Sequence, residues 1–194
     1  KVGSKGRPLP GSAAVGLAAY DPLTGRLIED DRGFVRSCAD GEVGLLLGKP
    51  GASNEALGDV MRGVFEPGDV WIATENLFRR DADGDYWLLD NKRGVVVTAH
   101  GPVYSQPVID MLGMIPRIDL AVSYGITVGD SDIAVAACTL RGKKAPTAAE
   151  ITAALDVVPE AERPDLVHIV PSIPIGPSYR PAADKLREHG LPTP

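Results

Sequence analysis

The sequence predicts an α+β chain in two parts: an antiparallel sheet or partly closed barrel over residues 1–90, then a small α+β module over 91–194. Three observations point this way. Short apolar runs separated by turn clusters fill the first part, and from about residue 95 strands alternate with amphipathic helical stretches. Gly 22 and Pro 17 make up about a fifth of the 194 residues, which implies frequent turns without the period or low complexity of a fibrous or disordered chain.

In the first part, AVGLAAY (14–20), VGLLL (43–47), GDVWIAT (68–74) and DYWLLD (85–90) read as strands from their alternation and their β-branched or aromatic content. LFRR and YWLL flank DADGD, where Asp83-Gly84 is a hairpin signal because the tight turn needs a positive φ. SNEALGDVMRG (53–63) predicts one short amphipathic helix, weakened by Gly58. After Asp90 the pattern changes. VVVT (95–98) is a strand, a helix starts at Ser105, and IDLAVSYGI (118–126) and DIAVAACTL (132–140) are strands. Thr147-Ala148-Ala149-Glu150 is a capping box, in which hydroxyl and carboxylate each satisfy an orphan amide, and Ile151, Leu155 and Val158 follow on one face. LVHIV (166–170) is the next strand, and Pro181 to His189 forms a last short helix stopped by Gly190.

Composition excludes more than it assigns. Hydrophobic residues are 44% and charged residues 24%, a globular balance, and the net charge of −6 opposes a phosphate backbone, so no nucleic-acid partner is expected. No stretch approaches the ~20 apolar residues of a transmembrane segment, and KVGSKGRPLPG lacks the apolar core of a signal peptide. Lys1 stands where an initiator Met would, so the chain is expected to begin inside a longer protein. Cys38 and Cys138 are far apart, with no CxxC spacing and no His nearby in sequence. Neither a zinc site nor a disulfide framework is supported, and a reducing, cytoplasmic setting fits. His100, His168 and His189 are isolated, and packed or solvated roles suit them, His189 near a helix end where a cation suits the dipole. There is no P-loop, no GxGxxG after a strand, no HExxH and no GxSxG.

An ordered series of spacings says more. GRPLPG at 6–11, GEVGLLL at 41–47 and the frame VF..GDVW, continuing as L...D..G.YW..D from Val64 to Asp90, precede an α+β module of suitable length. Together they resemble the later half of fatty-acid–CoA ligases of the fatty-acid transport protein type, long-chain acyl-CoA synthetases of the adenylate-forming, AMP-binding superfamily. The resemblance covers essentially the whole chain. It implies that residues 1–90 are the distorted antiparallel β-barrel end of the large domain. Residues 91–194 would be the C-terminal domain that swivels between two half-reactions about a hinge near an Asp-Arg segment. The acyl pocket, the phosphate loop and a magnesium-binding glutamate would lie in an N-terminal ligase domain before Lys1. ATP, Mg2+ and CoA are the implied cofactors, and a fatty acid or acyl-CoA the implied ligand.

Three positions depart from the family pattern. T-G-D-L stands here as Thr74-Glu75-Asn76-Leu77. The family's aspartate binds the ribose hydroxyls of ATP, and Asn76 lacks the charged acceptor pair that makes such contacts roughly twice as strong. Glu75 replaces a glycine where backbone lies close to the ligand, adding bulk and negative charge near phosphates. D-R stands as Asp90-Asn91, so the arginine that would contact ribose or phosphate is missing, and Arg93 substitutes only if the loop has shifted. T-G-T-F-K, with a leucine six residues after the lysine, fits Gly176-Pro177-Ser178-Tyr179-Arg180 and Leu186, which puts Arg180 at the catalytic lysine position. A planar guanidinium does not simply replace a slender ammonium, and losing one preorganised donor costs about 3–4 kcal/mol in comparable transition states.

Taken singly, Asn76 reads as a turn residue, Asn91 and Arg93 as solvated surface, and Arg180 as a local cap or pair. Altered together at the nucleotide positions, they lead to two expectations. One is the C-terminal part of an ATP-dependent long-chain fatty-acid–CoA ligase-like protein, impaired in catalysis. The other is a pseudoenzyme of that fold that binds lipid, acyl-CoA or a protein partner as a regulator or scaffold. Relatives of this type work in the cytoplasm, often peripherally at a membrane surface.

Overall fold

The change of pattern after Asp90 becomes a change of sheet. The computed structural model describes residues 1–51, 59–176 and 181–191. The chain divides into two compact units, Lys1–Arg93 and Gly94–Pro194.

In the first unit, β1 (Ser4–Gly6), β2 (Val15–Asp21), β3 (Arg26–Leu27), β4 (Val43–Gly48), β5 (Asp59–Arg62), β6 (Val70–Arg80) and β7 (Tyr86–Asn91) form one antiparallel sheet. Its order is β1-β7-β6-β4-β2-β3, with β5 also on β6. Leu17, Leu45, Leu47, Leu77 and Leu89 are buried against it. Among the described residues the sheet runs open from β1 to β3, which corrects the expected partly closed barrel. β1 has three residues and β3 two, too few to supply the ladder that closure needs. The helix expected over 53–63 is also corrected in its second half. Asp59–Arg62 pairs with β6 from Ala73 to Val70, so ladder pairing overrides a weak helical pattern. Residues 53–58 lie outside the described residues.

The GDVW segment fixes the start of β6. The Asp69 carboxylate accepts the amides of Val64 at 2.6 Å and Phe65 at 2.9 Å, and the indole Nε1–H of Trp71 at 2.9 Å. Burial pushes its pKa up, but these donors outweigh burial and hold it below the ordinary carboxylate range. Trp71 packs edge-on against Phe65, centroids 5.2 Å apart, with Lys49 Nζ 4.3 Å from its ring centroid. At the far end, Asp81 accepts the amides of Asp83 and Asp85, and Gly84 at φ +85° turns the chain into β7. The hairpin signal in DADGD therefore becomes the pairing of Arg80 with Tyr86.

The second unit contains β8 (Val96–Thr98), β9 (Gly101–Val103), α1 (Ser105–Gly113), β10 (Ile118–Val128) and β11 (Ser131–Leu140). α2 (Ala148–Leu155), a 3-10 turn (Glu160–Glu162), β12 (Leu166–Ile169) and α3 (Asp184–Glu188) follow. The sheet order is β10-β11-β8-β9, and β12 joins β11 in parallel. Both faces of β11 are covered, which explains why DIAVAACTL is nearly continuous in small apolar residues. Ala134, Ala136 and Cys138 pack with Val108 and Leu112 of α1 and Leu155 of α2, while Val135 and Ala137 pack with Tyr124 and Ile173. Both halves of the capping box at Thr147 and Glu150 are formed, and Arg117 at the head of β10 pairs with the same Glu150. No helix among the described residues is long and apolar enough to cross a membrane.

Candidate functional site

β6 is regular at both ends and irregular in its middle. Between the pairs Leu45–Leu77 and Leu47–Ala73, Leu46 alone on β4 faces Thr74, Glu75 and Asn76. On the opposite edge Leu77 pairs with Asp90 and Phe78 with Leu88, which leaves Leu89 as an extra residue in β7. Such bulges re-aim side chains and bend the strand. Glu75 takes φ +63°, and among the described residues it is the one non-glycine with positive φ. That conformation costs an L-residue about 1–2 kcal/mol, so neighbouring contacts must hold it.

Those contacts come from the turn after β7 and from Thr74. The Lys92 amide donates to the Glu75 carbonyl at 2.9 Å, and Lys92 Nζ lies 2.8 Å from Glu75 Oε1. The Thr74 hydroxyl donates to the Leu46 carbonyl at 2.8 Å and accepts the Asn76 amide at 3.3 Å. Asn76 and Asn91 are cross-strand partners. Asp90 is buried and its carboxylate accepts the Asn91 amide at 2.7 Å, while the Asn91 side-chain oxygen accepts the Arg93 amide at 3.1 Å. This turn places Lys92 and Arg93 on a cleft of about 620 Å³, together with Tyr20, Asp59, Ala73 and Glu75.

The structure thus brings four of the sequence-derived positions near one another: Asn76 and Asn91 form one rung, Thr74 accepts the Asn76 amide, and Arg93, whose amide is held by Asn91, lines the cleft. Arg180 lies outside the described residues. On either side of it in the chain, Ile175 and Pro181 form a bridge and the Ala182 amide donates to the Pro174 carbonyl at 2.8 Å. Glu75, the negative charge that the sequence adds at the family's glycine position, is paired with Lys92, which neutralises it locally. Lys92, Tyr20 and Asp59 were not picked out in the sequence. The signal for Lys92 was the hairpin register, hidden by the Leu89 bulge. The three histidines are held elsewhere: His100 between the Ala161 carbonyl and Asp165, His168 by the Tyr124 hydroxyl, and His189 by the Lys185 carbonyl.

Chemically, the cleft presents two carboxylates, two cations and a phenol, a lining of balanced charge suited to a polar ligand bearing hydroxyl groups.

No protein-family model matches the chain. A curated relative, the very long-chain fatty acid transport protein of Cochliobolus heterostrophus, is 24% identical over 192 residues, covering 90% of this chain and 30% of that protein. Among solved structures, the amide bond synthetase McbA from Marinactinospora thermotolerans superposes with a TM-score of 0.69 at 24% identity, covering 96% of this chain and 36% of that one. The anthranilate CoA ligase AuaEII, solved with anthranoyl-AMP, gives 0.69 at 20% identity, covering 98% and 35%. The o-succinylbenzoate coenzyme A synthetase of Bacillus subtilis, solved with ATP and magnesium, gives 0.61 at 21%, covering 93% and 34%. The chain spans about a third of the length of the proteins it matches. It carries the fold of the C-terminal part of adenylate-forming ligases.

Proposed function

We propose that this fold serves as the C-terminal part of a long-chain fatty-acid–CoA ligase-like protein in which nucleotide chemistry is weakened. The first unit would complete a large domain and the second would be the swivelling domain. The full-length protein would join a fatty acid to AMP with release of pyrophosphate, and the CoA thiol would then displace AMP. ATP, Mg2+ and CoA are the cofactors of that scheme, and cytoplasm or the face of a membrane is its setting.

The observation that carries the reading is the rung of Asn76 and Asn91. The resemblance implies a charged aspartate and arginine at these positions, and here two neutral amides face each other. An amide oxygen accepts a hydroxyl less strongly than a carboxylate, by a factor of roughly two in bond strength. Arg180 at the lysine position would weaken adenylation further. A pseudoenzyme reading draws on a separate observation: the two charges of the Glu75–Lys92 pair, both lining the cleft, are engaged with each other, so binding of acyl-CoA, a lipid or a protein partner would not depend on ATP.

Pyrophosphate exchange driven by long-chain fatty acids tests the proposal on the full-length protein. The expected rate is at least about a hundredfold below that of an ordinary ligase, the scale of losing one preorganised donor. Exchange within tenfold of an ordinary ligase contradicts the weakening, and exchange absent even in Arg180→Lys, with no thermal shift by ATP, favours the pseudoenzyme.

A further inference from the structure

The cleft beside the Asn76–Asn91 rung contains four charged side chains, Asp59, Glu75, Lys92 and Arg93. Two of them are committed to each other. Lys92 Nζ sits 2.8 Å from Glu75 Oε1, and the two side chains are only 30% and 36% exposed, so water and salt screen the pair incompletely. The partners are also tied through the backbone, by the Lys92 amide on the Glu75 carbonyl. Because Glu75 holds φ +63° within a bulge, its carboxylate is aimed by a constrained backbone rather than by the alternation of a regular strand. A phosphate entering the cleft meets a lining carboxylate and an ammonium already engaged by it. A neutral ligand meets the same groups with their fields largely cancelled.

We propose that Glu75 and Lys92 form a self-neutralised gate that sets the charge specificity of this cleft, Glu75 withholding the Lys92 ammonium from anionic ligands and so selecting against polyphosphates in favour of neutral, hydroxyl-bearing ones. The inference rests on the proposed ligase reading, taking the cleft lined by Arg93 next to the Asn76–Asn91 rung as part of its nucleotide site, and it adds two residues that determine which charge state is accepted. Glu75 is the discriminating residue. Lys92 positions it and is the cation released when the pair opens. Arg93 is the cation left at the cleft for an anion while the pair is closed.

The test is a titration of ATP and of adenosine into the full-length protein and its Glu75→Gln, Lys92→Met and Lys92→Arg variants. Glu75→Gln keeps the side-chain size and removes the charge, so ATP should bind about fivefold more tightly, the scale of one partly exposed charge interaction. Lys92→Met should weaken ATP by a similar factor, Lys92→Arg should behave as wild type, and adenosine should bind all four alike. The ATP differences should shrink as salt rises, because screening acts on the phosphate arm alone. Adenosine and ATP binding with no tightening in Glu75→Gln overturns the gate and leaves the nucleotide reading standing. No binding of either ligand by any variant overturns both. A change in adenosine affinity as large as that for ATP also overturns the gate, since it marks altered cleft shape rather than charge selection.

Discussion

Glu75 concentrates the local physics of the site in one residue. Its φ of +63° is ordinary for glycine and costly for a residue with a Cβ, and its side chain recovers part of that cost through Lys92. Two substitutions separate the terms. Glu75→Gly and Glu75→Ala both delete the ion pair, but only the alanine keeps the left-handed penalty, so the glycine variant should be more stable by about 1 kcal/mol in urea unfolding. Equal stabilities would show that the backbone relaxes out of the left-handed region. The residues of this site were only partly legible in the sequence. Asn76, Asn91 and Arg93 stood out against a known spacing, but Lys92 did not, because counting back from the Arg80–Tyr86 turn places residue 91 opposite Glu75. The extra Leu89 shifts the register by one, so that Asn76 meets Asn91 and Glu75 meets Lys92.

Among the elements, the long ones were readable, and of the short strands only the apolar β8 and β12 were. β2, β4, β10, β11 and α2 announced themselves by alternation or by a cap, whereas β1, β3, β5 and β9 have two to four residues each, too few for any period. β5 shows why the error went toward helix: Val60 and Met61 gain their pairing from Ile72 and Trp71, which lie distant in sequence. β12 makes a testable contribution to unit stability through His168. The Tyr124 hydroxyl faces His168 Nε2 at 3.3 Å, and burial lowers the imidazole pKa below its ordinary value. A depressed histidine is neutral in the folded state and binds a proton more readily when unfolded. Its contribution is therefore complete above the unfolded pKa of about 6.5 and is lost as pH falls from there toward the folded value. The second unit should lose thermal stability on acidification from about pH 7 to pH 5, and His168→Gln should flatten that slope. An unchanged slope in the variant would assign the pH dependence to other groups.

At the scale of the whole chain, the residues fall into the units Lys1–Arg93 and Gly94–Pro194, and the partly closed barrel expected over 1–90 is, among the described residues, a sheet left open by edge strands of two and three residues. The fold of the C-terminal part of an adenylate-forming ligase persists here with neutral amides at the Asn76–Asn91 rung and a paired Glu75 beside it. Bulge, ladder and turn are held by backbone hydrogen bonds, by Thr74 and Asp90 and by the Asn91 side-chain oxygen on the Arg93 amide, so Asn76 contributes its side chain less to the turn than Asn91 does. On the proposed ligase reading, structure and chemistry are separable, and placing charges at these positions should raise the nucleotide chemistry of the full-length protein. The most direct measurement is fatty-acid-dependent pyrophosphate exchange by the full-length protein carrying Asn76→Asp, Asn91→Arg and Arg180→Lys together. The expected result is a gain of at least about tenfold over wild type, the scale of one recovered charged contact. A triple variant that folds as wild type yet exchanges no faster would contradict the claim that these positions limit the nucleotide chemistry.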